Sequence, residues 1–430
     1  MQDLVQKLTE TAHKLRSTGF FSVFGSNVLC KVFSFIGGML VVRVLSKSDY
    51  GLYTYVVNCY GMLYLLYDLG CSVAAMQFCN ENYNDPRKFR AFFSYGFRRG
   101  MTFLLLTSVL LLASPLFYPF RSPETARMTQ WLFLVPLIDG VTSFLQVNLR
   151  IRLLNNRFAA VNLAATVINY LVILPMSYFW GLEGAVLSKY GISILTLLAA
   201  LWESRGEFPP LKRETAKLLS SSEKKSFLKL AFASQLNNGI DTGLMLLDVF
   251  LIGIFIAAPE VISSYKVATT IPSALAFVPS SVMVYVVPYF ARHIQDRAWV
   301  RQSYFRLLKW SAIGNGIIAL GGILLSGWIV PLIFGTQYAD AIPCFRILML
   351  SYFFSSTFRT PSANILYTQR KVRVILTITL LSGVVNCILD VVLILHLRSI
   401  GAAIATLLVH IITSAMSFGY LCHYLKGATE

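Results

Sequence analysis

Long apolar runs separated by short polar segments organise this chain. Each run matches the roughly 20 residues that a helix needs to cross a hydrocarbon core of about 30 Å. None shows the ten-residue alternation typical of membrane β-barrels. The pattern therefore predicts an all-α integral membrane protein with about 12 transmembrane helices. The runs lie at positions 20–44, 52–76, 100–118, 129–149, 158–180, 182–202, 230–256, 264–290, 309–333, 343–366, 374–396 and 400–424.

The composition is also that of a membrane protein, and the sequence lacks common catalytic and metal-binding motifs. Hydrophobic residues make up 56% of the chain and charged residues only 13%, against about 25% charged residues in soluble domains. The seven cysteines lie in or beside apolar runs without metal-ligand spacing, which is typical of small buried hydrophobic side chains. No Walker A, H-E-x-x-H or G-x-S-x-G motif occurs. We therefore predict no catalytic residues, no metal site and no cofactor.

The basic residues predict how the chain lies in the membrane. With the N-terminus inside, 27 of the 37 Lys and Arg residues lie on the cytoplasmic side and only 7 on the outer side. This bias follows the positive-inside rule and predicts that both termini are cytoplasmic. The net charge of +17 is explained by these loops, so we expect no nucleic-acid partner.

An internal repeat divides the chain into two halves. Asn169 and Gly184 recur as Asn386 and Gly401, each 217 residues later. We therefore predict two parallel six-helix bundles, an arrangement that suits alternating access around a central site. The predicted segments are an amphipathic cytoplasmic helix at 1–18, an N-terminal bundle at 19–202, a cytoplasmic linker at 203–229, a C-terminal bundle at 230–424 and a tail at 425–430.

Polar side chains inside spans are costly and mark candidate functional positions. In the first span, Asn27, Lys31, Ser34 and Gly38 recur at helical spacing, with Lys31 near the middle. For Lys31 we consider contact with substrate or an ion, an internal ion pair with Asp139 or Asp68, and snorkelling to the interface. In the seventh span, Ser234, Asn238, Asp241 and Asp248 are expected to form a second polar stripe.

Prolines accompany two further charged positions. Asp139 follows Pro136, and Arg359 precedes Pro361; proline kinks are common at transport cavities. His410 is expected to be a packing residue or a proton relay. The candidate substrate-binding residues are Lys31, Asn27, Arg359 and Asn238. The candidate ion-coupling or charge-pair residues are Asp139, Asp68, Asp241 and Asp248.

Several short motifs resemble those of polysaccharide-transporter flippases in the MOP exporter superfamily, whose best-known members carry O-antigen repeat units. The resemblance covers nearly the whole chain. It rests on the run from Arg43 to Tyr53, on Asp68-Leu69-Gly70, on Asp248 with Leu251-Ile252 and Tyr265, on Phe334-Gly335-Thr336-Gln337-Tyr338 with Ala341, and on Asn386 with Gly401-Ala402-Ala403.

This resemblance implies a V-shaped fold similar to MATE transporters and a location in the bacterial inner membrane. It implies movement of an undecaprenyl-pyrophosphate-linked oligosaccharide, for O-antigen or a similar polymer, from the cytoplasmic to the periplasmic leaflet. An ion gradient or the membrane potential would drive transport, and membrane lipids and a polysaccharide polymerase are the implied partners. Two alternatives stay open: a drug or cation exporter of the same superfamily, and a membrane glycan polymerase or ligase.

Overall fold

A computed structural model describes residues 20–116, 120, 122–207, 218–256 and 258–426. The predicted amphipathic helix at 1–18 lies outside these residues, as do positions 208–217 of the predicted linker and positions 427–430 of the predicted tail. Every regular element in the described ranges is helical, which confirms the predicted all-α class.

The helices of the first half begin and end at well-defined residues. They are α1 (Phe20–Val44), α2 (Lys47–Leu63), α3 (Cys71–Glu81), α4 (Pro86–Ala113), α5 (Pro123–Trp131), α6 (Val135–Ile151) and α7 (Asn155–Glu203). The second half holds α8 (Ser221–Phe255), α9 (Pro259–Leu275), α10 (Phe277–Arg292), α11 (Arg297–Leu324), α12 (Ser326–Phe334), α13 (Ile342–Phe354), α14 (Thr360–Thr368) and α15 (Val372–Lys426).

The number of spans follows from helix length. Within the described ranges, eight helices or continuous helical segments are long and apolar enough to cross a membrane, and the number is ten if each of two bent helix pairs is one span. Helix α7 has 49 residues and would measure about 74 Å at 1.5 Å per residue, more than twice the core thickness. Because α7 and α15 each contain one residue with non-helical backbone, each holds two spans, and the total reaches the predicted twelve.

The two interrupted helices break in the same way. Gly181 in α7 has φ 56° and ψ −135°, and Arg398 in α15 has φ 53° and ψ −133°. These residues are 217 positions apart, the offset of the sequence repeat. Their nearly identical backbone angles confirm the repeat at these two breaks.

The glycine after each break explains why the repeat is visible in the sequence. A Cβ atom at Gly184 would lie 2.0 Å from the carbonyl oxygen of Met176. A Cβ atom at Gly401 would lie 2.1 Å from the carbonyl oxygen of Leu393. Each position therefore requires glycine because the chain packs back on its own preceding backbone.

The chain forms two compact units, here called the N-unit and the C-unit. The N-unit comprises the described residues up to 49 and from 55 to 246, and the C-unit comprises 50–54 and the described residues from 247 onward. Their boundary lies within α8, later than the predicted linker at 203–229. The first part of α8 joins the N-unit because Gln235 Nε2 donates to the Leu65 carbonyl at 2.7 Å and Asn58 Nδ2 donates to the Leu246 carbonyl at 3.0 Å.

Each unit has its own core. Aromatic rings at Phe92, Phe93, Phe144 and Phe227 form much of the N-unit core. Burial of such rings removes large apolar areas from solvent. In the C-unit a separate core brings together Phe290, Val300, Tyr304, Leu308, Ile365, Leu366, Ile375, Leu421 and Leu425.

Two of the sequence motifs lie at the N-terminal ends of helices. The Ser46 hydroxyl accepts a hydrogen bond from the Asp49 amide at 3.1 Å and donates to Asp49 Oδ2 at 2.7 Å, which caps α2. The Asp68 carboxylate accepts from the Gly70 amide at 2.9 Å and from the Ser72 amide at 2.7 Å. Asp68 thus satisfies the first amides of α3 at a 44° bend inside the second span.

The non-helical break in α15 generates a stability prediction. Arg398 has a positive φ, and this backbone conformation destabilises the fold by about 1–3 kcal/mol for any residue with a side chain. The equivalent break in α7 has glycine, which adopts it without strain. Arg398→Gly is expected to raise the free energy of unfolding by about 1 kcal/mol. Thermal unfolding of the purified protein in detergent measures the change.

Arg398→Ala is the matched control because it removes the same charge and keeps a side chain at the strained position. It is expected to leave the unfolding temperature near that of the wild type. Equal stabilisation by both substitutions would mean that charge, and not backbone strain, sets the effect.

Candidate functional site

Helix α1 presents three different faces. One face packs on α7, where the Cys30 thiol donates to the Asn162 carbonyl at 3.6 Å and the Tyr170 hydroxyl donates to the Ser34 carbonyl at 2.9 Å. A second face exposes apolar side chains, as expected beside lipid tails: Leu29, Val32, Ile36 and Leu40. The third face is exposed and polar.

The polar face of α1 holds three of the predicted residues. Asn27, Lys31 and Ser34 are all exposed, and Lys31 lies about 16 Å along the helix from Phe20 at 1.5 Å per residue. Exposed polar groups at this depth are tolerated only beside water or protein, because lipid tails offer no hydrogen-bond partner. This stripe is therefore suited to border an aqueous space.

Asp139 and Asp68, the two carboxylates considered as ion-pair partners of Lys31, contact other residues. Asp139 on α6 is hydrogen-bonded to Ser193 and attracted by Lys189, both on the second span of α7. Asp68 caps α3 as described above. The described part of the chain therefore shows no ion pair between Lys31 and either carboxylate, and contact of Lys31 with an ion or substrate stays a prediction.

The expected stripe along the seventh span does not form a single face. Helix α8 bends by 44° between Ile240 and Thr242, and the boundary between the two units follows at Leu246. Asn238 is exposed in the N-unit, whereas Asp248 belongs to the C-unit. The predicted stripe assumed an unbent helix, so the spacing of residues in the sequence does not reveal this separation. The side chain of Asp241 lies outside the described part of the structure.

Asp248, which is half-buried, is the centre of a polar cluster in the C-unit, here called the acidic cluster. Its Oδ2 atom accepts from the Thr406 hydroxyl at 2.9 Å and from the Tyr265 hydroxyl. Asp248 is also in hydrogen-bonding contact with Asp390 and Asn386, and the Asn386 amide donates to Asp390 Oδ2. The cluster therefore joins α8, α9 and both spans of α15.

Two carboxylates in one cluster, one of them fully buried, need a compensating positive charge. Asp390 is fully buried, and its Oδ1 atom has no hydrogen-bond partner among the described residues. Two ionised carboxylates repel one another, so a shared proton or a bound cation stabilises such a pair. The carboxylate, amide and hydroxyl oxygens present are hard ligands suited to an alkali cation or a proton. No group of three or more His, Cys, Asp or Glu side chains able to hold a metal occurs in the described ranges.

Arg359 lies at an irregular turn of the tenth span. Residues Ser355–Arg359 form a π-helical turn, with the Thr360 amide donating to the Ser355 carbonyl five residues earlier. The turn precedes Pro361, and π-turns within helices occur frequently at functional sites. One Arg359 nitrogen lies 3.4 Å from Nε2 of His410 on α15. The structure therefore places a cation predicted from the sequence beside a second polar side chain.

A further exposed lysine was not among the predicted site residues. The apolar run begins at position 264 and suggests an outer position for Lys266, but α9 begins at Pro259. Lys266 thus lies about 10 Å into the helix and is exposed. Thr270 and Ser273 follow at the spacing of Asn27, Lys31 and Ser34. That repeated spacing is the signal that identifies this second cationic stripe.

The acidic cluster also contains residues to which we assigned no site role from the sequence. Asp390, Tyr265 and Thr406 complete the surroundings of Asp248. The available signal is the pair Asn386 and Asp390, which lie four residues apart on an otherwise apolar span. Their connection with Asp248 depends on the packing of α8 against α15 and is not contained in local spacing.

A family comparison agrees with this architecture. The model of a family described as polysaccharide biosynthesis protein matches residues 40–343. The chain belongs to this polysaccharide biosynthesis protein family. The match includes the capped start of α2, the Asp68 cap, Asp248 and Lys266. No curated protein matches the chain significantly in sequence.

Solved structures share the fold of this family member at low sequence identity. A multidrug resistance MATE family transporter of the MOP superfamily, in an inward-facing conformation, has a TM-score of 0.78 at 13% identity, covering 93% of this chain and 95% of that chain. The lipid II flippase MurJ, in an inward closed conformation, has a TM-score of 0.73 at 15% identity, covering 93% of this chain and 87% of that chain. These similarities confirm the predicted fold class.

A third solved structure is a MOP superfamily transporter from Pyrococcus furiosus. It has a TM-score of 0.58 at 13% identity and covers 95% of this chain and 94% of that chain. The polysaccharide biosynthesis family member is therefore a multi-pass membrane protein with the MOP transporter fold.

The exposed stripes generate a labelling prediction. In a background without the seven native cysteines, Lys31→Cys and Lys266→Cys are expected to react with a charged, water-soluble maleimide because both positions are predicted to face water. Mass spectrometry of the protein labelled in membranes measures the modified fraction.

Val32→Cys provides the matched control, since Val32 is exposed on the apolar face of α1. It is expected to react several-fold more slowly than Lys31→Cys, because a maleimide reacts with the thiolate, which lipid disfavours. Similar labelling of Val32→Cys and Lys31→Cys would contradict the assignment of the polar face to water.

Proposed function

We propose that this protein is a flippase that moves an undecaprenyl-pyrophosphate-linked oligosaccharide from the cytoplasmic to the periplasmic leaflet. The observation that carries this proposal is the pair of exposed cationic stripes around Lys31 and Lys266 within membrane spans. Membership of the polysaccharide biosynthesis protein family supports a role in polymer assembly.

Each stripe by itself has the chemistry that suits an anionic, hydroxyl-rich headgroup. An ammonium group forms charge-assisted hydrogen bonds with phosphate oxygens, and Arg359 adds a group suited to phosphate recognition. Asn27 and Ser34 on α1, and Thr270 and Ser273 on α9, supply amide and hydroxyl groups for sugars. The polyprenyl tail needs no polar site because it remains in lipid.

A cationic cargo fits these stripes less well. Lys31 and Lys266 repel positively charged drugs, whereas an exporter of cations needs exposed acids in its transport path. The carboxylates of Asp248 and Asp390 lie in the acidic cluster, where they contact Thr406 and Asn386, and Asp390 is fully buried. The exposed charges therefore favour the lipid-linked anion over the drug or cation exporter.

The orientation of transport follows from the basic residues. With Lys266 placed inside a span, 27 Lys and Arg residues lie on one side and 6 on the other, a bias that supports cytoplasmic termini in the bacterial inner membrane. The substrate would be assembled on the cytoplasmic side and delivered to a polysaccharide polymerase outside.

The acidic cluster is the proposed coupling site of the flippase. Its two carboxylates need a positive charge, which either Na⁺ or a proton supplies. Occupation and release of such a site on opposite sides of the membrane would couple the ion gradient to the conformational cycle. We therefore assign ion coupling to Asp248 together with Asp390, Asn386 and Thr406.

The flippase proposal predicts that loss of either lysine impairs transport. In cells lacking their own repeat-unit flippase, Lys31→Ala and Lys266→Ala are expected to lower outward exposure of the lipid-linked sugar by about tenfold or more, as loss of a charged hydrogen bond of about 1.5–3 kcal/mol implies. Labelling of the sugar from outside intact cells measures this exposure.

Lys31→Arg is expected to keep part of the activity, and Lys225→Ala on the surface is the control that should keep it in full. If the wild-type protein never makes the sugar accessible outside and instead gives resistance to cationic dyes, the exporter function is correct and the flippase proposal is wrong.

The coupling site predicts stabilisation by its ion. For the wild type, the unfolding temperature should rise with NaCl at constant ionic strength, because a ligand at a hundredfold its Kd adds about 2.7 kcal/mol. Asp390→Asn removes one charge and is expected to abolish this rise. Thermal unfolding in NaCl and in choline chloride gives the comparison.

Asp340→Asn is the control, because Asp340 accepts from Ser264 and takes no part in the acidic cluster. It should retain the response to Na⁺. The ion is a proton if lower pH, but not NaCl, raises the unfolding temperature of the wild type and only Asp390→Asn loses this response. An identical response in wild type and Asp390→Asn would contradict the assigned site.

A further inference from the structure

A row of hydrogen bonds begins at Arg359. One guanidinium nitrogen lies 3.4 Å from His410 Nε2, and His410 Nδ1 lies 2.6 Å from the Ser351 hydroxyl. The same hydroxyl donates to the Thr406 carbonyl at 3.4 Å. Helices α13 and α15 are thus linked by polar contacts directly beside the π-helical turn.

The direction of each hydrogen bond in this row is determined by chemistry. A guanidinium group only donates, so His410 Nε2 accepts from Arg359. His410 Nδ1 therefore carries the proton and donates to Ser351, whose own proton goes to the Thr406 carbonyl. This arrangement requires a neutral imidazole with one defined tautomer.

The row continues to the acidic cluster. Thr406 donates from its hydroxyl to Asp248 Oδ2 at 2.9 Å. Ser351 contacts the carbonyl of Thr406, whereas the contact to Asp248 comes from the Thr406 hydroxyl, which also lies 3.0 Å from the Ala402 carbonyl. The row therefore has two hydrogen-bonded parts, which the covalent frame of Thr406 on α15 holds together. In the first part, from Arg359 to the Thr406 carbonyl, the hydrogen bonds are aligned and polarise one another. The negative charge of Asp248 on the other side of Thr406 attracts the guanidinium cation through the low-dielectric interior and so favours this arrangement.

We propose that His410 is a positioning residue that couples the cation site at Asp248 to the binding of the pyrophosphate headgroup by Arg359. This inference rests on the proposed function and adds the connection between its two sites. While the acidic cluster lacks its cation, the row holds Arg359 against His410. Cation binding offsets the charge of Asp248, weakens the row and releases Arg359 to bind the headgroup.

The local backbone allows such a movement. The π-helical turn Ser355–Arg359 has hydrogen bonds spanning five residues, and the following Pro361 provides no amide donor to tighten it. An arginine at the end of this turn can shift between two partners without breaking a regular helix. By linkage, headgroup binding at Arg359 strengthens cation binding by the same factor.

The test measures binding of undecaprenyl pyrophosphate to the purified full-length protein, with NaCl or with choline chloride at the same ionic strength. The wild type is expected to bind the probe about tenfold more tightly in NaCl, within the range typical of linked sites. His410→Phe, which fills the same space without a donor or acceptor, should reduce this ratio to below about twofold.

Ser351→Ala interrupts the row one step further on and should reduce the ratio in the same way, which keeps the test valid if His410→Phe does not fold. His410→Gln retains a donor and an acceptor and should recover part of the ratio. Thr413→Val is the matched control, because the Thr413 hydroxyl bonds to the carbonyls of Val409 and His410 in its own helix.

An unchanged ratio in folded Ser351→Ala or His410→Phe would overturn the inference and leave the flippase function intact. A wild type whose affinity for the probe is the same in both salts and also unchanged between pH 5.5 and pH 8 would overturn it, because neither Na⁺ nor a proton would then be coupled to headgroup binding. A wild type that does not bind the probe, together with absent sugar labelling in cells, would instead refute the proposed function itself.

Discussion

The hydrocarbon core of a membrane offers no hydrogen-bond partner, and this constraint governs nearly every feature of the protein. It requires helices throughout the spans, and each break in a helix must satisfy its free backbone groups locally. At the bend of the second span, Asp68 supplies two acceptors to the first amides of α3. Asp68, which the sequence suggested as an ion-coupling or charge-pair residue, therefore acts as a helix cap.

The same constraint separates polar groups into two kinds. Groups that face one another are combined into internal networks, such as Asp248 with Asp390 or Asp139 with Ser193. Groups that remain exposed at membrane depth, chiefly Lys31 and Lys266, need water beside them. A protein that keeps exposed ammonium groups inside spans is suited to an anionic cargo, and one that buries paired acids is suited to a cation.

The C-unit contains both kinds of site on packed helices. The acidic cluster joins α8, α9 and α15, and the row through His410 links it to Arg359 at the π-helical turn. Because both sites use α15, the proposed coupling between them would act through the contacts of this helix. A physical connection of this kind is what coupling between an ion gradient and substrate movement requires.

The sequence by itself determined the class, the twelve spans and the repeat, because membrane thickness and backbone chemistry leave few alternatives for long apolar runs. It also indicated Lys31, since one helix face follows directly from local spacing. Only the tertiary structure assigned Asp68 to a helix cap, placed Lys266 inside a span and brought Asp390 to Asp248. These outcomes depend on helix ends, on the bend in α8 and on contacts 142 residues apart in the chain, none of which local spacing encodes.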